Sequence, residues 1–395
     1  MKRRILLTVL IAIILFTVTI FSSCSTIKTV VKRIDKIPVN GDYTFVSNNA
    51  ITHKGKDYGI EKLIKSALIS KRQNVFDPTS PSIITYNKGK LFFEYNYYNK
   101  MLSRHGEDYS RKFCSGYVDI NNLSVHLFGL YQHEIPYFSS GLNGYRVGKV
   151  VVYINGDGLV EIYDAETAEK RGEIAADYLK KSEYESQSCI SDCEEVVFYE
   201  PENGKMLLID GDGVFKEITI DFGQSLIKFL YGFTADYMLF YKSGLSGPRV
   251  VAYDRQTYSI ADEETAQAVL EEIDNYNSSA KVEYGGETYN YSVFDGEIVF
   301  ESQSGELTTV TMTALRESSK ELRKIEEICG GELAFQQVKA ANGELYIIVK
   351  NDDFFFGTTM FSHVTPPIVF KYDMNGSFEY IGRSSGAYVK TIIKN

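Results

Sequence analysis

The chain has 395 residues, and 42 Lys and Arg stand against 52 Asp and Glu, for a formal charge of −10 at neutral pH. That balance lacks the basic footprint of a nucleic-acid partner and argues against a body that lies flat on anionic lipid. With 29 Tyr, 24 Phe and no Trp, the composition suits pleated, half-buried strands, and the length is too great for a small stapled fold and ample for a large core.

In chain order, the first element is an export signal. Lys2, Arg3 and Arg4 precede an apolar run from Ile5 to Phe21, broken only by Thr8, Thr17 and Thr19, and Ser22-Ser23-Cys24 closes it. Charge, apolar stretch and small residues in that order make a secretory signal. The run sits at the lower edge of the ~17–25 residues that cross a bilayer, so length alone leaves an uncleaved membrane anchor as the rival. Its position favours cleavage, because it ends where the cysteine stands. Phe21-Ser22-Ser23-Cys24 resembles the lipobox of bacterial lipoproteins, with Phe21 where Leu is usual. The resemblance implies that Cys24 is acylated, with palmitate among the chains, and becomes the first residue of the mature protein. One acyl chain anchors only marginally, whereas the several chains the resemblance implies hold firmly. Ser25, in place of the Asp that retains such proteins at the inner membrane, implies sorting to an outer membrane where one exists. Residues 1–23 are thus read as the signal. Residues 24–40 are a membrane-proximal tether carrying Lys28, Lys32, Arg33 and Lys36, and residues 41–395 are the folded domain.

A helix is expected where Ile60, Leu63, Ile64, Ala67 and Leu68 follow helical spacing. Beyond it a unit recurs. Short apolar runs read as strands buried on both faces: Leu91 to Tyr95, Val150 to Tyr153, Val196 to Tyr199, Met238 to Tyr241, Ile298 to Phe300 and Leu345 to Val349. In five of the six units a following strand ends in an apolar residue and then Asp, at Asp119, Asp164, Asp210, Asp254 and Asp373. The carboxylate suits a turn because it bonds nearby backbone N–H groups. Further strands leave these turns at Val125–Phe128, Lys170–Ile174, Phe215–Ile220, Tyr258–Ile260 and Phe378–Ile381. In the irregular fifth unit, Leu307–Met312 and Leu322–Ile328 are expected as the second and third strands. Between the units near Asp254 and Ile298, Ala266, Val269, Leu270 and Ile273 follow helical spacing behind a capping Asp262.

The first four Asp markers lie 45, 46 and 44 residues apart. That period fits one four-stranded propeller blade. Tyr163-Asp164-Ala165-Glu166-Thr167-Ala168-Glu169 resembles the outer hairpin of quinoprotein-like and WD-like β-propellers, with Ala168 where Gly is usual and no Trp-containing blade signature anywhere. The resemblance covers roughly residues 80–385 as architecture and implies no activity. The expected fold is all-β, a β-propeller of four-stranded antiparallel blades with a few helical insertions. Seven blades are favoured over six, the seventh closed by Tyr388–Ile393 beside Tyr43–Val46.

Cys189 and Cys193 bracket a short turn and admit either a local disulfide or a free thiol pair outside the membrane. Chemistry is sparsely signalled. No GxSxG, HExxH, P-loop or dinucleotide motif occurs, and the five His are scattered, so neither a metal site nor a cofactor is expected. Asn155-Gly156-Asp157-Gly158 and Asp210-Gly211-Asp212-Gly213 resemble fragments of calcium loops but read better as hairpin turns. Residues 96–114 and 351–367 are expected as long loops opening on one propeller face. Tyr97, Tyr98, Arg104, His105 and Tyr109 from the first, with Phe354, Phe355, Phe356 and Phe361 from the second, are the candidate partner-binding residues, since Tyr and Arg anchor interfaces. The same loops could instead fold down to plug the ring. The expected partners are membrane lipid through Cys24 and an envelope protein or glycan, with no nucleic acid. The expected role is a non-enzymatic binding or scaffold module of the cell envelope, and the alternative is an extracytoplasmic hydrolase or lyase of glycans or peptides.

Overall fold

In the computed structural model the described residues are 39–76, 81–103, 106–132, 142–155, 157–179, 185–188, 195–200, 204–220, 227–242, 250–278, 280–294, 296–329, 332–350, 366–386 and 388–395. They open with strands β1 (Tyr43–Ser47), β2 (Ala50–His53) and β3 (Lys56–Gly59), then helix α1 (Ile60–Ser70). Next come β4 (Val75–Phe76), β5 (Ser82–Asn87), β6 (Lys90–Ser103), β7 (Gly106–Asp119) and β8 (Ser124–Gln132). Three further groups follow: β9 (Leu142–Val147), β10 (Val150–Asn155), β11 (Leu159–Asp164) and β12 (Lys170–Ala175); β13 (Glu185–Ser188), β14 (Glu195–Glu200), β15 (Lys205–Asp210) and β16 (Phe215–Thr219); and β17 (Ile227–Phe233), β18 (Tyr237–Lys242) and β19 (Val250–Asp254). Helix α2 (Glu263–Ser278) precedes β20 (Ala280–Tyr284), β21 (Glu287–Phe294), β22 (Glu297–Ser302) and β23 (Leu307–Thr311). Helices α3 (Met312–Ser318) and α4 (Lys320–Cys329) lead into β24 (Ala334–Ala341), β25 (Glu344–Lys350), β26 (Ile368–Tyr372) and β27 (Phe378–Arg383), and β28 (Val389–Lys394) ends the series.

These strands form seven antiparallel sheets, five of them four-stranded, and most run up and down in chain order as the blades of a β-propeller do. Two sheets depart from that connectivity: in one, β4 and β5 both pair with β6, and the other, β28-β1-β2-β3, is drawn from both ends of the described chain. Its seam pairs Phe45 with Ile392 and Thr44 with Ile393. Asn395 fastens it further, its N–H donating to the Asp42 carbonyl at 2.7 Å and its Nδ2 to the Gly41 carbonyl at 2.9 Å.

The chain divides into two compact units, one spanning Ile60–Ser279 and one combining the residues up to Gly59 with Ala280–Asn395. In the first, alternation along each strand sends neighbouring side chains to opposite faces. Val150, Val152 and Ile154 of β10 pack on Val196, Phe198 and Leu207 of the next sheet, while Val151 and Tyr153 pack on Phe92 and Phe113 of the preceding one. Val197 and Tyr199 then meet Phe233, Met238 and Phe240. The outer face of that last sheet, Leu239, Val250 and Ala252, is covered by Ala266, Val269 and Ile273 of α2. Burial on both faces, as expected from the apolar runs, is therefore sheet stacked on sheet, and each such side chain contributes ~1.5–3 kcal/mol. In the second unit Leu345, Ile347 and Val349 pack with Ile298, Phe300 and the helical Leu315, Leu322 and Ile325, whereas Tyr346 and Ile348 face Tyr43 and Phe45 across from Val389.

The Asp markers close turns as expected. The Asp164 Oδ1 accepts from Glu166 and Thr167 N–H at 2.8 and 2.7 Å, and Asp254 repeats the pattern with Gln256 and Thr257 at 2.9 and 2.7 Å. Ala168 and Tyr258, at the same place in the two turns, both have positive φ, 65° and 57°, so the turn keeps its left-handed residue without glycine. Asp262 caps α2, accepting from Thr265 N–H at 2.8 Å.

Several expectations are corrected. The buried runs at Leu91, Val150, Val196, Met238 and Leu345 are not first strands, because β5, β9, β13, β17 and β24 precede them in their sheets. Ile298–Phe300 lies in the third strand of its sheet and Leu307–Thr311 in the fourth. Leu322–Ile328 is helical, not a strand: Leu322 and Ile325 are three apart, which places both on one face of α4, buried against the sheet. Tyr258–Ile260 makes only an isolated bridge, Tyr253 to Ile260, because Tyr258 holds the positive φ of the turn. Residues 96–114 are not a loop but the continuation of β6 and β7, paired throughout except at 104 and 105, which lie outside the described residues. No helix among the described residues is long and apolar enough to cross a membrane.

Candidate functional site

Two features of the Ile60–Ser279 unit stand out, and both grow from the β6–β7 hairpin. The first is its length. The register runs from Lys90 opposite Asp119 to Ser103 opposite Gly106. Its flanking strands stop sooner. β5 leaves β6 at Glu94, β4 pairs only Tyr98 and Asn99, and β8 leaves β7 at Lys112. From Lys100 to Ser103 and from Gly106 to Arg111 the two strands pair only with each other among the described residues. This end of the hairpin is an arm whose two outer backbone edges pair with no strand among the described residues, and open edges template the addition of another strand.

The candidate binding residues divide accordingly. Tyr97 is fully buried and its hydroxyl donates to Gln73 Oε1 at 3.4 Å, so it belongs to the interior and is corrected as a contact residue. It stacks on Tyr95, with centroids 6.1 Å apart. Tyr98 is half-buried, opposite Arg111. Tyr109 sits in β7 opposite Lys100, on the arm. Arg104, His105, Phe354, Phe355, Phe356 and Phe361 lie outside the described residues, as do Cys24, Cys189 and Cys193. Cys114 is buried and free, and burial pushes its thiol up to about 12, so it is inert.

The second feature is a buried polar cluster between the β6–β7–β8 sheet and the β9–β12 sheet. Glu94 opposes Ser115 in register; the Glu94 carboxyl acts on the buried Tyr153, and Ser115 Oγ lies 3.5 Å from the Tyr131 hydroxyl. Burial pushes the Glu94 carboxyl up to about 7, while bonds from the Gly144 N–H and the Ser82 side chain pull the other way. Its Oε2 is out of solvent and has no hydrogen-bond partner among the described residues. Gly144 is needed there, since a Cβ would stand 2.0 Å from Ile84 Cδ1. Across the same gap, Glu161 accepts a hydrogen bond from the Tyr131 hydroxyl, one from Tyr163 at 3.3 Å, and one from Lys170 Nζ at 2.6 Å. Burial first, then the Glu161 carboxylate, raises Tyr131 and Tyr163. Tyr131 lies over Gly129, where a Cβ would meet its hydroxyl at 2.2 Å. Phe128 stacks on Tyr163 with centroids 3.9 Å apart. The cluster can hold a proton near neutrality, but it is packed from both sides. Sequence reasoning passed over Glu94 and Glu161, although each is a carboxylate set inside an apolar strand, a readable signal of a buried network.

No family model matches the chain, and no curated protein matches it. Among solved structures, the chain is similar to a streptogramin B lyase, with 10% identity, TM-score 0.27, and cover of 80% of this chain and 87% of that one. It is also similar to BamB from Moraxella catarrhalis, at 13% identity and TM-score 0.23 over 69% and 77% of the two chains. A third is the Neurospora crassa Pan2 WD40 domain, at 11% identity and TM-score 0.28 over 78% and 80%. These are β-propeller proteins of unlike roles, and none lends this chain an activity.

Proposed function

We propose that the protein is an extracytoplasmic lipoprotein, anchored through acylated Cys24, that acts as a non-enzymatic binding module and engages an envelope partner with the β6–β7 arm. The observation that carries this is the arm itself, which outruns β4, β5 and β8 and, among the described residues, pairs with no strand on either outer edge. Open edges are a hazard that proteins normally cover or break, so an arm of this length is best explained by a partner that uses it. The acidic body fits a protein or glycan partner and not a polyanion.

The test replaces Lys100–Tyr109 with a two-residue Asn-Gly turn, which suits a tight hairpin. The shortened protein should keep its circular dichroism and its melting temperature and lose its cross-linked envelope partner. A partner captured equally by both forms would end the proposal. The anchor is checked separately: Cys24→Ala should abolish labelling by a fatty-acid analogue.

A second reading, a hydrolase or lyase, has one observation in its favour, the Glu94 carboxyl raised to about 7 as a general acid requires. The sheet packed over Glu94 weighs against it.

A further inference from the structure

We propose that the outward face of helix α1 is a docking surface for an anionic phospholipid bilayer.

Helix α1 buries Ile60, Ile64 and Leu68, one stripe at steps of four. Opposite that stripe stand Lys62, Lys65, Ser66 and Ile69, at steps of three and four and so on one face. Lys71 and Arg72 follow directly on the last turn. The helix has one acid, Glu61, and it is near enough to the core for its charge to act on the buried Tyr95. The side chains of Lys62, Lys65, Lys71 and Arg72 have no ion pair or hydrogen bond among the described residues.

Helix stability does not account for this face. Lys62 lies in the first turn, where a cation opposes the macrodipole, and Lys62 with Lys65 is a like-charged pair at a spacing of three. Ile69 leaves 56% of its surface in water. Two lysines beside an outward isoleucine suit a helix lying in a headgroup layer, where cations meet phosphates and the apolar side chain enters the acyl boundary. The protein as a whole is acidic, so a free polyanion is repelled by the rest of the body. A bilayer is different because it is already within reach. The fifteen residues from Cys24 to Val39 span at most ~50 Å, and that tether keeps the local concentration of lipid high enough for a modest patch to act. This reach rests on the anchoring through Cys24 proposed above, whereas the charge and exposure of α1 do not.

Sedimentation of the mature chain made without acylation tests the surface apart from the anchor. Vesicles of equal parts phosphatidylcholine and phosphatidylglycerol should carry it down, and pure phosphatidylcholine should not. Lys62→Gln with Lys65→Gln should weaken this attachment by about tenfold or more, since each cation at an anionic surface adds about fivefold. Lys320→Gln with Lys324→Gln, an exposed pair on α4, should change it less than about twofold. Ile69→Ser should weaken it about threefold with the charge unchanged. Circular dichroism checks that the variants fold. With the acylated protein on vesicles, acetylation of Lys62 and Lys65, read by mass spectrometry, should slow about threefold when phosphatidylglycerol is included, and that of Lys320 and Lys324 should not. Equal losses from the two lysine pairs would overturn the proposal, as would unchanged acetylation in a protein that stays on its vesicles. So would binding to polyglutamate as tight as to the anionic vesicles, which would point to an acidic polypeptide in place of a bilayer. Failure of the acylated form to stay on pure phosphatidylcholine would instead sink the anchor, and the sedimentation of the unacylated chain would still decide the surface.

Discussion

Burial of Glu94 between two sheets makes the stability of the Ile60–Ser279 unit depend on pH. The unfolded carboxyl titrates in the ordinary range, and the folded one near 7. The folded state therefore holds its proton longer, and stability declines as pH rises from about 4.5 through 7, by up to about 3 kcal/mol. Urea midpoints taken at pH 5 and pH 8 should fall for the native protein and stay level for Glu94→Gln. Asp164 has the opposite sign. Burial raises it, but the N–H groups of Thr167 and Glu166 and the Arg171 guanidinium outweigh that and hold it at about 2. Its contribution is complete above the ordinary carboxylate range and fades as pH falls toward 2. Asp164→Ala should cost about 1–2 kcal/mol at pH 7 through the lost turn bonds, and its deficit against the native protein should shrink in acid denaturation curves. Asp164 was legible as a turn former because it recurs at a fixed period. The charge state of Glu94 was not, because it depends on Gly144, Ser82 and Tyr153, which are remote in sequence and meet only when the sheets stack.

At the scale of elements, what could be read was the hydrophobic period. Helices α1 and α2 and the strands ending at the Asp markers follow from it. The strand expected over Leu322–Ile328 is the helix α4, where Leu322, Ile325 and Ile328 stand among charged residues. Their spacing by threes is helical, and the expectation of a repeated unit overrode it. Ile325 is 1% exposed and packs with Leu315 and Leu345. Ile325→Ala should therefore destabilise the protein by about 2–4 kcal/mol, measured by chemical denaturation. The β6–β7 hairpin stands where a loop was expected for a different reason. Tyr97 and its polar neighbours look like loop residues, but strands that pair past the edge of a sheet need no apolar alternation beyond it. Tyr97 itself stays inside because the helix-proximal Gln73 satisfies its hydroxyl.

On the scale of the whole molecule, the seam between β1 and β28 was anticipated from the apolar Tyr388–Ile393 and Tyr43–Val46 segments, since a propeller must deal with its two outermost edges. Truncation after Gly386 removes β28 and leaves β1 as an exposed apolar edge, with Phe45 and Val46 uncovered. Such a chain should lose the cooperative unfolding of the Ala280–Asn395 unit and gain aggregation, read by calorimetry and light scattering; a truncated chain that melts like the native one would show that the seam adds little.

The order in which the chain is made gives that seam a further meaning. The stretch Ile60–Ser279 is continuous and can finish folding while later residues are still being synthesised. Tyr43–Ser47, by contrast, emerges early; β2 can pair one of its edges at once, but the other must wait for Val389–Lys394, more than three hundred positions later. During that interval one backbone edge of β1 lacks its native partner, and Phe45 and Val46 beside it are open to wrong pairings until Val389–Lys394 arrives.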